Sequence, residues 1–271
     1  MNKNLDKIVF APPEKRSVRS PDRMVGKQSS NKKKDINNTD DVLFTDESTY
    51  MTCNNTEKPI ILLSLDPAQS CGWSIFKIYN RSESKENTDS VSVLIKCDFL
   101  EVDMKSDYVG DSCISLQEQV KKIIEEWNVD EICVEDYFMS SKKCQGANLN
   151  VYLRGSIYIL CRELNLHYDI IPIWGWKSFV AGQTTPGKEM KKYYGKELAN
   201  KIFIQEALWL RYNLRFPNYC ISKNTGKPIS LRYDMIDSVG IGLFHIHRRH
   251  NCSKLINELD KTWKHGMYMD M

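Results

Sequence analysis

Four acidic residues stand where predicted secondary-structure elements begin or end. Asp66 follows the apolar run IILLSL, Glu135 follows EICV, and Asp234 and Asp237 open the segment RYDMIDSVGIGLFHIH. Carboxylate oxygens are the protein ligands that the hard cation Mg²⁺ prefers. Two such ions about 4 Å apart supply a nucleophile, neutralise the transition state and stabilise the leaving oxygen in phosphodiester hydrolysis. Together, the four acids predict a two-metal site for this chemistry.

Each acid also has a structural interpretation when it is considered alone. An Asp before Pro67 commonly starts a turn, and Asp234 lies where helix capping and the helix dipole favour a carboxylate. However, Asp234 and Asp237 are three residues apart, so a helix places both on one face. The combination of all four acids favours a shared site.

The elements that carry these acids follow from the apolar pattern. Ile60–Leu65 reads as a strand that is buried on both faces, and Trp73–Ile78 as the second strand of a hairpin. A helix is predicted over Leu116–Trp127, before a short strand that ends at Val134. Met235 begins the apolar positions of a later helix. An α/β domain follows.

These segments resemble motifs of the RuvC-type Holliday junction resolvases, which belong to the RNase H-like superfamily. The matching segments, in chain order, are Leu65-Asp66-Pro67 with Cys71-Gly72-Trp73, Glu135-Asp136-Tyr137-Phe138-Met139, Leu153-Arg154-Gly155 with Ile157 to Cys161, and Asp234-Met235-Ile236-Asp237-Ser238-Val239 with His245-Ile246-His247. Ala68 stands where the family usually has Gly, and the stretch from 195 to 231 is longer than in the compact bacterial form. The resemblance covers about residues 59–250.

The resemblance implies an RNase H-like fold with a central mixed five-stranded sheet flanked by helices. The first strands are expected to be antiparallel, and the later parallel strands to lie near Val134 and over Ile170–Ile173. The implied activity is Mg²⁺-dependent resolution of Holliday junctions by paired symmetric cuts, with two ions per site and Mn²⁺ as a substitute. Two cuts imply a homodimer on branched DNA, and the helix Ile157–Leu164 offers a candidate dimer face.

The resemblance also assigns roles to individual residues. Asp66 is expected to bridge two ions, with Glu135 on one ion, Asp237 on the other and Asp234 as an additional ligand. The residues expected to contact DNA are Phe138, Lys177 and Lys188. Without the resemblance, both lysines read as solvated surface residues and Phe138 as a core aromatic residue.

Two other function classes stay open. One is a different nuclease of the same superfamily, cutting flaps or RNA–DNA hybrids, which needs the four acids but no dimer. The other is a non-catalytic protein that binds branched DNA and uses the acids structurally. Cleavage in the presence of metal separates them.

Composition sets the remaining limits. The 271 residues are 41% hydrophobic, enough for one substantial core, and the net charge of +3 confines any basic surface to a local patch. Residues 1–58 are polar and charged and are expected to form a disordered tail, followed by a nuclease domain over 59–250 and a C-terminal extension over 251–271. The sequence has no apolar run long enough to span a membrane, so an intracellular, soluble protein is expected. The nucleus, an organelle and a viral replication site stay open as its compartment.

The positions of the cysteines and histidines in the sequence do not predict a zinc site. The nine cysteines form no CxxC pair, and they read as reduced thiols of an intracellular protein. His245, His247 and His250 have no nearby Cys partner, and their spacing on one helix does not by itself make the ligands converge.

Overall fold

The computed structural model describes residues 58–79, 90–102, 108–136, 144–182, 185–217, 219–222, 225–252 and 254–259. The predicted tail, apart from Lys58, and Phe138 therefore lie outside the described residues. No helix in the described part of the chain is long and apolar enough to span a bilayer.

The described residues form eight strands and six helices. The strands are β1 (Ile60–Asp66), β2 (Ser70–Tyr79), β3 (Val91–Glu101), β4 (Glu131–Glu135), β5 (His167–Ile171), β6 (Tyr219–Ile221), β7 (Pro228–Ser230) and β8 (Lys254–Asn257). The helices are α1 (Val109–Trp127), α2 (Cys144–Glu163), α3 (Ile173–Ala181), α4 (Lys188–Tyr194), α5 (Lys196–Tyr212) and α6 (Tyr233–His250).

Six strands form one mixed sheet in the order β5-β4-β1-β2-β3-β8. The pairs β1–β2 and β2–β3 are antiparallel, whereas β1–β4, β4–β5 and β3–β8 are parallel. The strands β6 and β7 form a separate antiparallel pair. The predicted α/β fold, with antiparallel first strands and later parallel strands, is confirmed.

Two details differ from the prediction. A sixth strand, β8, joins the sheet beside β3, and it comes from the segment predicted as a C-terminal extension. The strand expected over Ile170–Ile173 ends at Ile171, and Ile173 begins α3. Pro172 explains this end, because it has no N–H to donate to a neighbouring strand and its φ of −68° suits the residue before a helix.

Both faces of the sheet are covered, which explains why the strands are continuously apolar. Leu62 and Phe76 point to the face packed by α6, in a cluster that also includes residues of α3 and α5. Leu63 and Ile75 point to the other face, in a cluster with residues of α1 and α2. Alternate side chains of one strand thus enter different cores, so most positions are apolar, and a buried polar side chain needs a hydrogen-bond partner.

Asparagine ends three of the helices. Asn128, Asn213 and Asn251 are the residues that follow α1, α5 and α6, and each has a positive φ in the left-handed region. Asn tolerates this conformation better than other residues with a Cβ. Ala68 does not have a positive φ, so the β1–β2 turn does not require the Gly found in the resembled family.

Buried serines bind α6 to the middle of the sheet. Ser64 on β1 and Ser74 on β2 both donate hydrogen bonds to the carbonyl of Ser238, at 2.7 and 3.1 Å. Ser238 in turn donates to the carbonyl of Met235 at 2.7 Å. All three hydroxyls are buried, and hydrogen bonds are what make the burial of such groups tolerable. They set the position of α6 along the two strands.

The start of α6 approaches β2 so closely that only glycine fits at position 72. A Cβ on Gly72 would lie 1.9 Å from the carbonyl oxygen of Asp234 and 2.5 Å from the backbone nitrogen of Met235. Both neighbours are backbone atoms, which cannot swing aside as a side chain can. Gly72 therefore permits the packing of α6 on the sheet.

Gly72→Ala is expected to destabilise the protein by about 1 to 3 kcal/mol, because the new methyl group forces backbone atoms apart. Urea denaturation measures this change. Gly155→Ala on α2 is the control, because nothing lies within 4 Å of a Cβ built there and Ala favours a helix over Gly. Equal stabilities of the Gly72→Ala variant and the wild type would contradict the close approach.

Candidate metal centre

Sheet register places Asp66 and Glu135 side by side. Strands β1 and β4 are parallel, with Leu65 opposite Val134, so the next residue of each strand reaches the same edge. Asp66 is the last residue of β1 and Glu135 the last residue of β4. The sequence predicted both acids at strand ends, and the parallel pairing makes them neighbours.

Helix α6 adds the other two predicted acids. One carboxylate oxygen of each of Asp66, Asp234 and Asp237 lies within 4.8 Å of the other two. Asp66 and Asp237 are each only 8% exposed, whereas the Asp234 side chain is 24% exposed. The i,i+3 spacing of the two helical acids thus brings both toward the end of β1.

Glu135 interacts with two residues of the site. The buried indole of Trp176 donates a hydrogen bond from Nε1 to Oε1 of Glu135, at 2.7 Å. Asp66 ends the neighbouring parallel strand, and its pKa is raised by burial and by the charge of Glu135. The four acids therefore form one connected group.

Burial raises the pKa of all four carboxyls, and repulsion between the acids adds to this effect for Asp66, Glu135 and Asp237. For Asp66, burial is the largest cause, followed by the charges of Glu135, Asp237 and Asp234. Burial likewise raises the pKa of Glu135 and Asp234, and it raises the pKa of Asp237 to about 7. Ionised carboxylates at such short range repel one another, and a bound cation removes that repulsion.

Two lysines partly offset this negative charge. Lys177 follows Trp176 on α3, and its charge lowers the pKa values of Asp66, Glu135 and Asp237 against the larger effect of burial. Lys201 on α5 lies 3.8 Å from Oδ1 of Asp234. Four carboxylates against two ammonium groups leave a net negative site, so the group is suited to binding a cation.

A small open pocket borders the acids on the side of α2. Its lining includes Asp66, Glu135, Asn150 and Arg154. The guanidinium of Arg154 forms an ion pair with Asp136, the residue after Glu135. Helix α2 thus supplies polar side chains to the wall beside the two strand ends.

The residues predicted to contact DNA have different positions. The charge of Lys177 acts on Asp66, Glu135 and Asp237, and its ammonium lies 4.9 Å from the centre of the Trp176 ring. Lys188 is exposed at the first position of α4. Phe138 lies outside the described residues.

Sequence reasoning missed three residues that contact the predicted acids or line their pocket. Trp176 binds Glu135 across 41 positions of sequence, Lys201 comes from the long stretch between residues 195 and 231, and Arg154 was noted only as part of a helix. The WGWK run around Trp176 was noted for its lysine alone. The spacing of these residues carried no signal, because the fold brings them to the site from separate helices.

The donor set fits divalent cations that prefer oxygen ligands. Asp66, Asp234 and Asp237 would hold such ions, with Glu135 beside them, and all four acids are the ones that the sequence predicts as ligands. Their buried, mutually repelling oxygens are the observation that supports this fit.

Without divalent cations, the free energy of unfolding is expected to fall as the pH rises from about 4 to about 7. In this range the folded protein keeps a proton on Asp237, whose pKa is about 7, while an unfolded Asp has released its proton. A rise in pH therefore favours the unfolded state. Saturating Mg²⁺ is expected to reduce the slope. Urea denaturation across this range, with and without EDTA, is the measurement.

Asp237→Asn is expected to flatten the slope and to stabilise the metal-free protein above pH 7 by on the order of a few kcal/mol, since the repulsion is gone. Asp111→Asn, at an exposed position of α1, is the matched control. A metal-free wild type whose stability rises over this pH range would contradict the arrangement.

Neither a protein-family model nor a curated protein sequence matches this chain. Solved structures similar to it include RuvC of Thermus thermophilus in complex with a Holliday junction substrate, at 12% identity and a TM-score of 0.49, covering 71% of this chain and 96% of that chain. A second structure of Thermus thermophilus RuvC has 12% identity and a TM-score of 0.47, covering 72% and 99%. The yeast mitochondrial Holliday junction resolvase Ydc2 has 16% identity and a TM-score of 0.40, covering 72% and 84%. These solved structures are named as members of the family that the motifs resemble.

Proposed function

We propose that this protein is a metal-dependent nuclease that hydrolyses phosphodiester bonds in branched DNA. The observation that carries the proposal is the convergence of Asp66, Glu135, Asp234 and Asp237 from two strand ends and one helix. Such a buried group of acids costs stability when it is empty of cations. A purely structural role for the four acids does not explain why this loss of stability is retained, whereas a catalytic role at a metal site does.

The residues of this chain then have distinct tasks. Asp66, Glu135 and Asp237 would hold the divalent ions, with Asp234 as a further ligand. Trp176 orients Glu135 through its indole N–H. Two divalent ions, Mg²⁺ with Mn²⁺ as a substitute, supply when bound the activation of water and the stabilisation of charge on phosphate.

Positive charge that acts on the acids, and an exposed ring on the same helix as Lys177, favour a nucleic acid as the substrate. Lys177 is proposed to neutralise phosphate charge, and Lys188 to be an exposed contact at the start of α4. Trp174, three residues before Lys177, is 77% exposed, and such a ring is a platform for stacking a base. The motif resemblance selects a four-way junction among branched DNAs, with Phe138 as the residue that enters the branch point.

The enzyme is proposed to act as a homodimer, because resolution of a junction needs two cuts related by two-fold symmetry. Within the stretch Ile157–Leu164, Ile157 and Cys161 are buried, whereas Ile159 is 53% exposed. Tyr152, two helical turns before Ile159, is 54% exposed. These two residues share one apolar face of α2, which is the proposed dimer contact.

Cleavage of a synthetic four-way junction by the purified protein in Mg²⁺ tests the activity. Paired symmetric nicks are expected in the junction, and none in a matched linear duplex. Asp66→Asn is expected to lower the rate about 1,000-fold or more, since metal ligation contributes several kcal/mol to the transition state. Asp111→Asn is expected to cleave like the wild type.

Other outcomes assign other functions. Preferential cleavage of a flap or an RNA–DNA hybrid would identify a different nuclease with the same fold. Tight junction binding without cleavage in Mg²⁺ or Mn²⁺ would identify a non-catalytic binding protein. Cleavage by Asp66→Asn at the wild-type rate would contradict the proposed metal site.

Ile159→Glu is expected to convert the dimer to a monomer and to uncouple the two nicks, because a charge cannot be buried unpaired in an apolar contact. Light scattering after gel filtration measures the mass. Leu210→Glu on α5 is the control, since Leu210 is 55% exposed and lies on another helix. A wild-type protein that is monomeric both alone and on the junction would contradict the dimer.

A further inference from the structure

A second group of metal-ligating side chains lies at the end of the sheet opposite the acidic centre. Glu131 begins β4, the strand that ends at Glu135, and His245 and His250 lie near the end of α6, the helix that begins beside Asp234. A ligand atom of each of Glu131, His245 and His250 lies within 4.8 Å of the other two. Glu131 is 119 positions from His250 in sequence.

His245 is buried without hydrogen bonds. Its side chain is 0% exposed, and neither ring nitrogen has a hydrogen-bond partner. A buried polar group left in this state is destabilising, and in native proteins it calls for an explanation such as an ion. Its Nε2 faces Oε1 of Glu131 at 3.7 Å. An unpartnered imidazole thus points at a buried carboxylate.

The remaining contacts leave one oxygen of Glu131 directed at the histidines. His250 Nε2 is 2.5 Å from Oε1, while Arg249 Nε binds the other oxygen, Oε2, at 3.0 Å. Oε1 of Glu131 thus faces both histidines, while Oε2 is held by Arg249.

We propose that Glu131, His245 and His250 bind a Zn²⁺ ion that is separate from the acidic centre. Two imidazole nitrogens and one carboxylate oxygen are ligands that suit zinc, whereas Mg²⁺ prefers oxygen alone. Donors of a tetrahedral zinc ion, each about 2.1 Å from it, lie about 3.4 Å apart. Oε1 of Glu131 lies 3.7 Å from Nε2 of His245, close to this value, and 2.5 Å from Nε2 of His250, a hydrogen-bond distance that a bound ion would widen.

Asp169 on β5 completes the arrangement as a positioning residue. Its Oδ2 lies 3.3 Å from Nδ1 of His245, the nitrogen that faces away from Glu131. Zinc-bound histidines usually donate their second N–H to a carboxylate, which fixes the ring orientation. Arg248 binds the same oxygen of Asp169 at 3.2 Å. The ion would connect the end of α6 to β4, with β5 as support.

Zinc content tests the site in a full-length protein that carries Asp66→Asn and Asp237→Asn, because those changes disable the acidic centre. After zinc loading and dialysis, mass spectrometry of the metal is expected to find one zinc per chain. The melting temperature of the zinc-loaded protein is expected to lie above that of the EDTA-treated protein. Adding His250→Gln is expected to abolish both effects. His247→Gln, on the exposed side of the same helix, is expected to preserve both.

Two further measurements keep the outcome decisive. Asp169→Asn is expected to weaken zinc binding about 10- to 100-fold in competition with a chelator. X-ray absorption of the zinc-loaded parent, which needs no His250 variant to fold, is expected to show two imidazole ligands. The proposal would be overturned by absence of retained zinc, by equal zinc retention with His250→Gln, or by a zinc shell without imidazole. Such a result would identify the cluster as an ion-pair network of protonated histidines. Junction cleavage is a separate readout, so failure of either proposal leaves the other standing.

Discussion

The acidic centre depends on how closely the backbone of α6 approaches β2. At Gly72 the strand has no Cβ, and the first turn of α6 occupies that space. Gly72 is also the residue opposite Asp66 in the β1–β2 register, so the contact that seats the helix lies beside the last residue of β1. Without it, Asp234 and Asp237 would move away from Asp66, and the four carboxylates would not share one site.

The energetics of the site and of the fold oppose each other. Burial raises the pKa values of the four acids, and repulsion adds to this effect for three of them, so the metal-free centre is destabilising. The apolar packing of α6, and the bonds from Ser64 and Ser74 to the carbonyl of Ser238, hold the acids in place. The rigid core therefore keeps the like charges close together in the absence of bound cations.

Helix α6 connects the two ends of the sheet. Its first turn carries Asp234 and Asp237, its middle is buried between the sheet and α3, and its last turns carry His245 and His250. A zinc ion on the two histidines and Glu131 would fasten the far end of the same helix. The two proposed centres would then act on one rigid element, the first for chemistry and the second for position.

Local sequence was sufficient to predict β1, β4, the α/β class and the four acids, because apolar runs and an i,i+3 spacing are properties of neighbouring residues. It did not predict β8 in the sheet, the indole of Trp176 on Glu135, or the ammonium of Lys201 beside Asp234. It also argued against zinc, since three histidines on one helix do not converge without Glu131. Each of these contacts joins residues distant in sequence, so only strand pairing and helix packing decided them.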